Sequence, residues 1–162
     1  MTGLNLESSE KLLDQVGWDI LRELQEDARI PFSELGRRVG LSAPAVTERV
    51  RRMEEAGIIK GYRAEINLKR VGLSVLALVR LNTSMHPHGC KQFLKMAPSI
   101  PEIIECHRIT GSDSYLMKVA VPSLEDLEKV LDQINVYGAT TTVIALSSPV
   151  EQRIIDEMLF QR

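Results

Sequence analysis

The sequence predicts an α+β protein in two parts, three packed helices followed by a four-stranded sheet with two helices of its own. Three observations lead there. Between residues 13 and 53 apolar residues recur every three or four positions and stop at glycine or proline breaks, the mark of short amphipathic helices. From residue 73 onward, four short β-rich runs are separated by two further stretches of helical spacing. Cationic residues are also concentrated: residues 37–63 hold seven Lys/Arg against three acids, a local +4, in a chain of formal net charge −2.

In the first helix, expected over 14–28, Leu13, Gly17, Ile20, Leu21 and Leu24 fall at helical spacing. Asp14 or a neighbour can cap it, and the acids Asp14 and Asp19 suit its positive end. Pro31 cannot continue that helix but can open the next, "PFSELGRRV" (31–39), which places Phe32, Leu35 and Val39 on one side and stops at Gly40. After "GLS", Ser42 is a good N-cap and Pro44 falls in the first turn, where its missing N–H costs nothing. Val46, Val50 and Met53 define the buried stripe of the third helix, which Gly57 ends. Two helices joined by a glycine-bearing turn form a helix-turn-helix.

Around the third helix, at 100° per residue, Pro44, Thr47, Glu48, Arg51, Arg52 and Glu55 point away from the core, and Arg49 lies on a flank. Short polar groups near the helix start with flanking arginines suit the major groove of duplex DNA. Arg51 can grip a guanine edge, Thr47 a thymine methyl or a base acceptor, and Glu48 a cytosine amino group. The alternation in "IIKGYRAEIN" (58–67) predicts a strand that carries Lys60 and Arg63 as a basic wing. The expected DNA-contacting set is Arg38, Ser42, Pro44, Thr47, Glu48, Arg49, Arg51, Arg52, Lys60 and Arg63. A solvated face of i, i+4 pairs such as Arg51 with Glu55 gives the same composition without any partner.

Past residue 66, basic and acidic residues balance at ten each, whereas residues 1–36 carry three against eight. "LSVLALVRLNTS" (73–84) reads as a buried strand, and "HGCKQFLKMAPS" (88–99) as a helix stopped by Pro98 and Pro101. "EIIECHRIT" (102–110) and "YLMKVAV" (115–121) read as strands around the turn "GSDS", "SLEDLEKVLDQINVYG" (123–138) as a helix, and "ATTTVIALS" (139–147) as the last strand. The order β-α-β-β-α-β is the ferredoxin-like plan. Its helices cover one sheet face, and pairing of two sheets would cover the other. "SPVEQRIIDEMLFQR" (148–162) reads as a short helical tail in which Ile154, Ile155, Met158 and Leu159 can pack on the body or on a partner. The expected organisation is a DNA-binding part at 1–60, a strand linker at 61–72, a ferredoxin-like part at 73–147 and a tail at 148–162.

The segments "DARIPFSELGRRVGLS", "VTERVRRMEEAGII" (46–59) and "RITGSDSYLMKV" (108–119), in that order and spanning nearly the whole chain, resemble the Lrp/AsnC family of bacterial and archaeal feast/famine transcriptional regulators, in particular an LrpC-type branch. The resemblance implies a winged helix-turn-helix followed by a ferredoxin-like domain. It implies dimers that assemble into octamers, DNA that is bent or wrapped, and an amino-acid effector held between C-terminal domains. The matching loop here is Gly111, Ser112, Asp113, Ser114 and Tyr115. Turn N–H groups suit a carboxylate, Asp113 an ammonium group, and Thr140, Thr141 and Thr142 can add hydroxyls. Gly17 departs from the family pattern, in which an acid is commoner, and glycine costs the helix ~1 kcal/mol against alanine.

Other chemistries have less behind them. His86, His88 and Cys90, with Cys106 and His107 elsewhere, fit no common zinc spacing, so no metal or other cofactor is expected. No phosphate-cradling glycine loop, H-E-x-x-H or G-x-S-x-G supports an enzyme. RNA or single-strand binding would want stacking aromatics, and among seven aromatics only Tyr115 is a candidate exposed ring on a strand. The remaining alternatives are an architectural DNA-binding protein without an effector and an amino-acid-sensing or catalytic ferredoxin-like domain. No apolar run approaches the ~20 residues a membrane helix needs. The polar N-terminus is unlike a signal peptide, and two cysteines make no disulfide framework, so a cytoplasmic, nucleoid-associated protein is expected.

Overall fold

The structure, a computed structural model, describes residues 11–86 and 88–160. Expectations that rest on residues 1–10, on Pro87 and on the last two residues lie outside the described residues. The chain forms two compact units, one running to Ala64 and including the segment from Val150 on, the other Glu65–Pro149.

In the first unit, helices α1 (Gln15–Glu26), α2 (Phe32–Val39) and α3 (Ala43–Glu55) follow the sequence signals to within two residues at each end. The caps explain the boundaries. Asp14 accepts from the Gly17 N–H at 2.8 Å, and Ser42 accepts from the Ala45 N–H at 3.4 Å. Gly40 closes α2 in the left-handed region, at φ 71°, which a side chain would resist. Ile20, Leu24, Ile30, Leu35, Val46, Val50 and Met53 form the core. Each contributes roughly 1.5–3 kcal/mol through its burial.

Gly17 has a steric reason to be glycine. A Cβ there would lie 1.9 Å from the Leu12 carbonyl oxygen and 3.1 Å from Met53 Cε. Helix propensity favours alanine by ~1 kcal/mol, but forcing atoms into a filled site costs about 1–3 kcal/mol. Gly17→Ala is therefore expected to destabilise by a net ~1–2 kcal/mol, read as a lower thermal midpoint. A raised midpoint would show that the backbone yields easily there.

Two sequence expectations fail in this unit. The alternating stretch 58–67 forms no strand, so the wing is absent from the described chain. Alternation reports an extended backbone, but a strand needs a partner ladder, and among the described residues this stretch has none. The segment instead leaves α3 under local bonds: the Ile58 and Ile59 N–H groups donate to the Met53 carbonyl, and the Tyr62 hydroxyl donates to Glu54 at 2.9 Å. The tail is likewise not a helix. Only Glu157–Leu159 makes a short 3-10 turn, capped by Asp156, and Met158, Leu159 and Phe160 stay largely exposed. The Gln25 amide binds both the N–H and the carbonyl of Ile155, at 3.0 and 2.9 Å, and the Trp18 and Phe160 rings lie 5.7 Å apart.

The second unit contains β1 (Val75–Asn82), α4 (Gly89–Met96), β2 (Ile103–Arg108), β3 (Tyr115–Val121), α5 (Leu124–Asn135) and β4 (Ala139–Ile144). The sheet order is β2-β3-β1-β4, with every neighbouring pair antiparallel. That is the expected ferredoxin-like arrangement. A 3-10 turn at Leu68–Val71, which the sequence did not announce, precedes β1. Ala77, Val79 and Leu81 of β1 and Tyr115, Met117, Val119 and Val121 of β3 face α4 and α5, where Phe93, Val130 and Ile134 complete the core. Among the described residues of this unit no layer covers the opposite sheet face, which exposes Leu78 and its cross-strand partner Val143. Among the described residues no helix is long and apolar enough to cross a membrane.

Candidate nucleic-acid interface and ligand loop

Helix α3 presents Pro44, Ala45, Thr47, Arg51 and Arg52 to solvent, with Glu48 and Arg49 half-buried. Ala45, at the first turn beside Pro44, was not singled out from the wheel, although a small exposed residue there permits close backbone approach. The Thr47 hydroxyl donates back to the Ala43 carbonyl at 2.9 Å, so it offers outward a methyl group and an acceptor oxygen.

The arginines are not idle. Arg51 forks onto Glu48 at 2.9 and 2.8 Å and also meets Glu55, while Arg52 donates to Glu48 at 2.7 Å. Bonds from Arg51 and Arg52 hold the Glu48 carboxyl well below its ordinary range, at about 2, and Glu48 in turn raises the Arg51 guanidinium. The i, i+4 pair of Arg51 with Glu55 read from the sequence is thus present, but within a larger cluster. Arg38, on α2, meets Glu34 at 2.9 Å and Glu23 at 2.7 Å.

Arg49 differs from the flanking phosphate cation that its position suggests. Its guanidinium bonds Asp14, the N-cap of α1, and its Nε is buried without a partner among the described residues. The Gly17 N–H, with Arg49 behind it, lowers the Asp14 carboxyl below its usual range. Arg49 therefore ties α3 to the start of α1. Lys60 and Arg63 are exposed on the segment leaving α3 and form no ion pair with another described residue. Arg37 on α2 is similarly accessible, though bound to Glu34.

The loop 111–115 separates into two environments. Gly111 and Ser112 are exposed, and the Ser112 carbonyl accepts from Asn82 at 2.7 Å. Asp113 lies 3.7 Å from the Arg80 guanidinium. Ser114 turns inward: its hydroxyl meets that of Thr83 at 2.8 Å, and its N–H donates to the Leu81 carbonyl at 2.8 Å. Tyr115 contradicts both readings made of it. It is 1% exposed, its ring packs 4.8 Å from that of Phe93, and its hydroxyl meets Cys90 Sγ at 2.9 Å. Burial is the chief cause pushing its phenol up to about 12, with the Cys90 bond adding to it. It is a core residue and neither a stacking platform nor a ligand contact, because the pleat turns odd-numbered β3 positions toward the helices.

The same alternation divides the three threonines. Thr141 pairs with Arg80 in register and shares the open sheet face with it. Thr140 and Thr142 point to the helix side, where Thr140 bonds Asn135 at 2.7 Å. Arg80, which no sequence motif marks, stands between Thr141 on β4 and Leu116 on β3. Among the described residues no group of three His, Cys, Asp or Glu is placed to hold a metal ion. Cys90 and Cys106 are both free thiols.

Comparison with known proteins adds an independent line. Residues 13–54 match the AsnC-type helix-turn-helix domain, and residues 76–155 match the Lrp/AsnC ligand binding domain. The chain is 40% identical over 136 residues to an uncharacterized HTH-type transcriptional regulator of Bacillus subtilis, YezC, covering 84% of this chain and 95% of that one. The structure of B. subtilis LrpC superposes with a TM-score of 0.80 at 36% identity, covering 86% of this chain and 99% of LrpC. The complex of transcriptional regulator NMB0573 from Neisseria meningitidis with L-Met gives a TM-score of 0.83 at 25% identity, covering 91% and 99%.

Proposed function

Because the chain belongs to the Lrp/AsnC family of transcriptional regulators, with its DNA-binding helix-turn-helix and its ligand-binding domain, we propose that α3 enters the major groove of duplex DNA and that Arg80 and Asp113 read an amino acid. The observation that carries the DNA reading is the outward face of α3. Thr47, Arg51 and Arg52 stand exposed on a helix whose N-cap and buried stripe fix its orientation. Arg38, Lys60 and Arg63 contact phosphates on either side, and Ser42 sets the approach of the helix N-terminus. A mobility shift on the DNA upstream of the protein's own gene tests this, since loss of binding at raised salt should follow the phosphates neutralised. No shift even in dilute buffer would remove the reading.

The ligand reading rests on opposite charges 3.7 Å apart at the edge of an apolar, uncovered sheet face. A zwitterion fits by exchange: its carboxylate takes Arg80, its ammonium takes Asp113, and an apolar side chain lies toward Leu116 and Leu78. Thr141 and the exposed turn N–H groups add polar contacts. A second copy laid over this face would bury Leu78 and Val143 and close the site, and further pairing of dimers would give an octamer. Two α3 helices would then meet half-sites at a spacing set by the dimer, and linked dimers would bend or wrap the DNA. Such a regulator works in the cytoplasm, on the nucleoid. L-methionine, bound by the Neisseria relative, is the first probe within a thermal-shift screen of the twenty amino acids. Asp113→Ala is expected to abolish any stabilisation that the wild type shows. A retained shift would place the ligand elsewhere.

A further inference from the structure

The sequence spells one local pattern twice, once on each helix of the helix-turn-helix. Glu34 is followed at i+3 and i+4 by Arg37 and Arg38 ("ELGRR"), and Glu48 by Arg51 and Arg52 ("ERVRR"). The structure closes both in the same way. In α2, Arg37 Nε reaches Glu34 Oε2 at 2.9 Å, Arg37 Nη2 reaches Oε1 at 2.6 Å, and Arg38 Nε reaches Oε1 at 2.9 Å. In α3 the same atoms pair in the same order, with Arg51 Nε to Glu48 Oε2 at 2.9 Å, Nη2 to Oε1 at 2.8 Å, and Arg52 Nε to Oε1 at 2.7 Å. One carboxylate thus holds two guanidinium groups, the first of them as a two-pronged fork, the strong form of this contact. Both carboxyls are held at about 2 by these arginines, so they stay charged throughout the neutral range.

The consequence concerns DNA rather than folding. Exposed pairs on a helix add little to stability. On the face of a DNA-binding unit, however, each clamp halves the local charge that a passing polyanion meets and leaves a carboxylate beside any phosphate that takes an arginine. Glu23 and Glu55 add a further partner to Arg38 and Arg51. Of the basic residues in 37–63, this leaves Lys60 and Arg63 with no ion pair to another described residue.

We infer that Glu34 and Glu48 are paired counter-ion clamps that hold down sequence-independent affinity, so that the α2 and α3 arginines are released to a duplex only where base contacts along α3 compensate for the exchange. This rests on the proposal that α3 faces duplex DNA. The test uses the full chain and a fluorescein-labelled duplex pool of random sequence, followed by anisotropy across a KCl series, with far-UV circular dichroism to show that each variant is folded. Glu34→Gln and Glu48→Gln are each expected to tighten binding to the pool by roughly 3–10-fold, and the double variant by more, with a steeper salt slope. Glu26→Gln changes the net charge equally on an exposed residue that makes no ion pair with another described residue, and it should stay within roughly twofold of wild type. If the clamp variants match Glu26→Gln, or bind more weakly, while the wild type binds the pool in a salt-dependent way, the clamps are overturned and the DNA reading stands. If neither the wild type nor any variant binds the pool at low salt, the DNA reading has failed and the clamps fall with it.

Discussion

Replacing Tyr115 by alanine is expected to lower the stability of the C-terminal unit by about 3–5 kcal/mol, the usual cost of emptying a buried aromatic site. The ring is enclosed, touches Phe93, and occupies the register position opposite Leu81, the last pair of the ladder between the two central strands. Tyr115→Phe keeps the ring and removes only the bond to Cys90, so about 1 kcal/mol is expected. The two units can be followed separately. Trp18, the single tryptophan, lies in the helical unit, so its fluorescence should be nearly blind to the change. Guanidinium unfolding followed by far-UV circular dichroism should show an early sheet transition. If Tyr115→Ala left that transition in place and instead removed a response to amino acids, the ring would return to the ligand site.

Tyr115 also shows where sequence reading stops. The helices were legible because each carries its own instructions: a cap such as Ser42, an apolar stripe such as Val46, Val50 and Met53, and a stop such as Gly40 or Gly57. The strands were legible for a similar reason, and β3 has the predicted bounds. Which side of the sheet a strand residue faces depends on register with β1 and on where the helices lie, and neither is written near residue 115. The same lack of register information grouped Thr140, Thr141 and Thr142, which the pleat separates, and left out Arg80, which lies 33 residues from Asp113 in the sequence and 3.7 Å from it in space. The wing failed for a related reason. Residues 58–67 have the alternation of a strand, but pairing is a property of two segments, and a pattern in one cannot supply the other. On α3 the outward positions were readable from the helical period, but the partner of Arg49 was not, because Asp14 belongs to another helix.

Truncating Arg51 to alanine is expected to remove about 1–3 kcal/mol of discrimination at a single base position, roughly 5–150-fold, as a lost guanine fork would. The structure complicates the reading of that number. Arg51 pairs with Glu48 and Glu55 in the free protein, so its removal also leaves Glu55 without that partner and Glu48 with Arg52 alone, on the face proposed to meet phosphates. Affinity for all sequences should therefore fall as well, and an affinity measured on one duplex would confuse the two effects. Combining Arg51→Ala with Glu48→Gln separates them. The general loss should be partly restored in the double variant, whereas the lost base preference should not return. Lys60→Ala supplies the opposite control. It has no ion pair to another described residue, so it should weaken every sequence about equally and reduce the salt slope by about one. The decisive measurement is the set of sequences selected from a random pool by each variant. If Arg51→Ala selected the same bases as the wild type at every position, Arg51 would be a phosphate contact like Lys60. Sequence reading would then pass to the first turn of α3, where Pro44, Ala45 and Thr47 stand exposed.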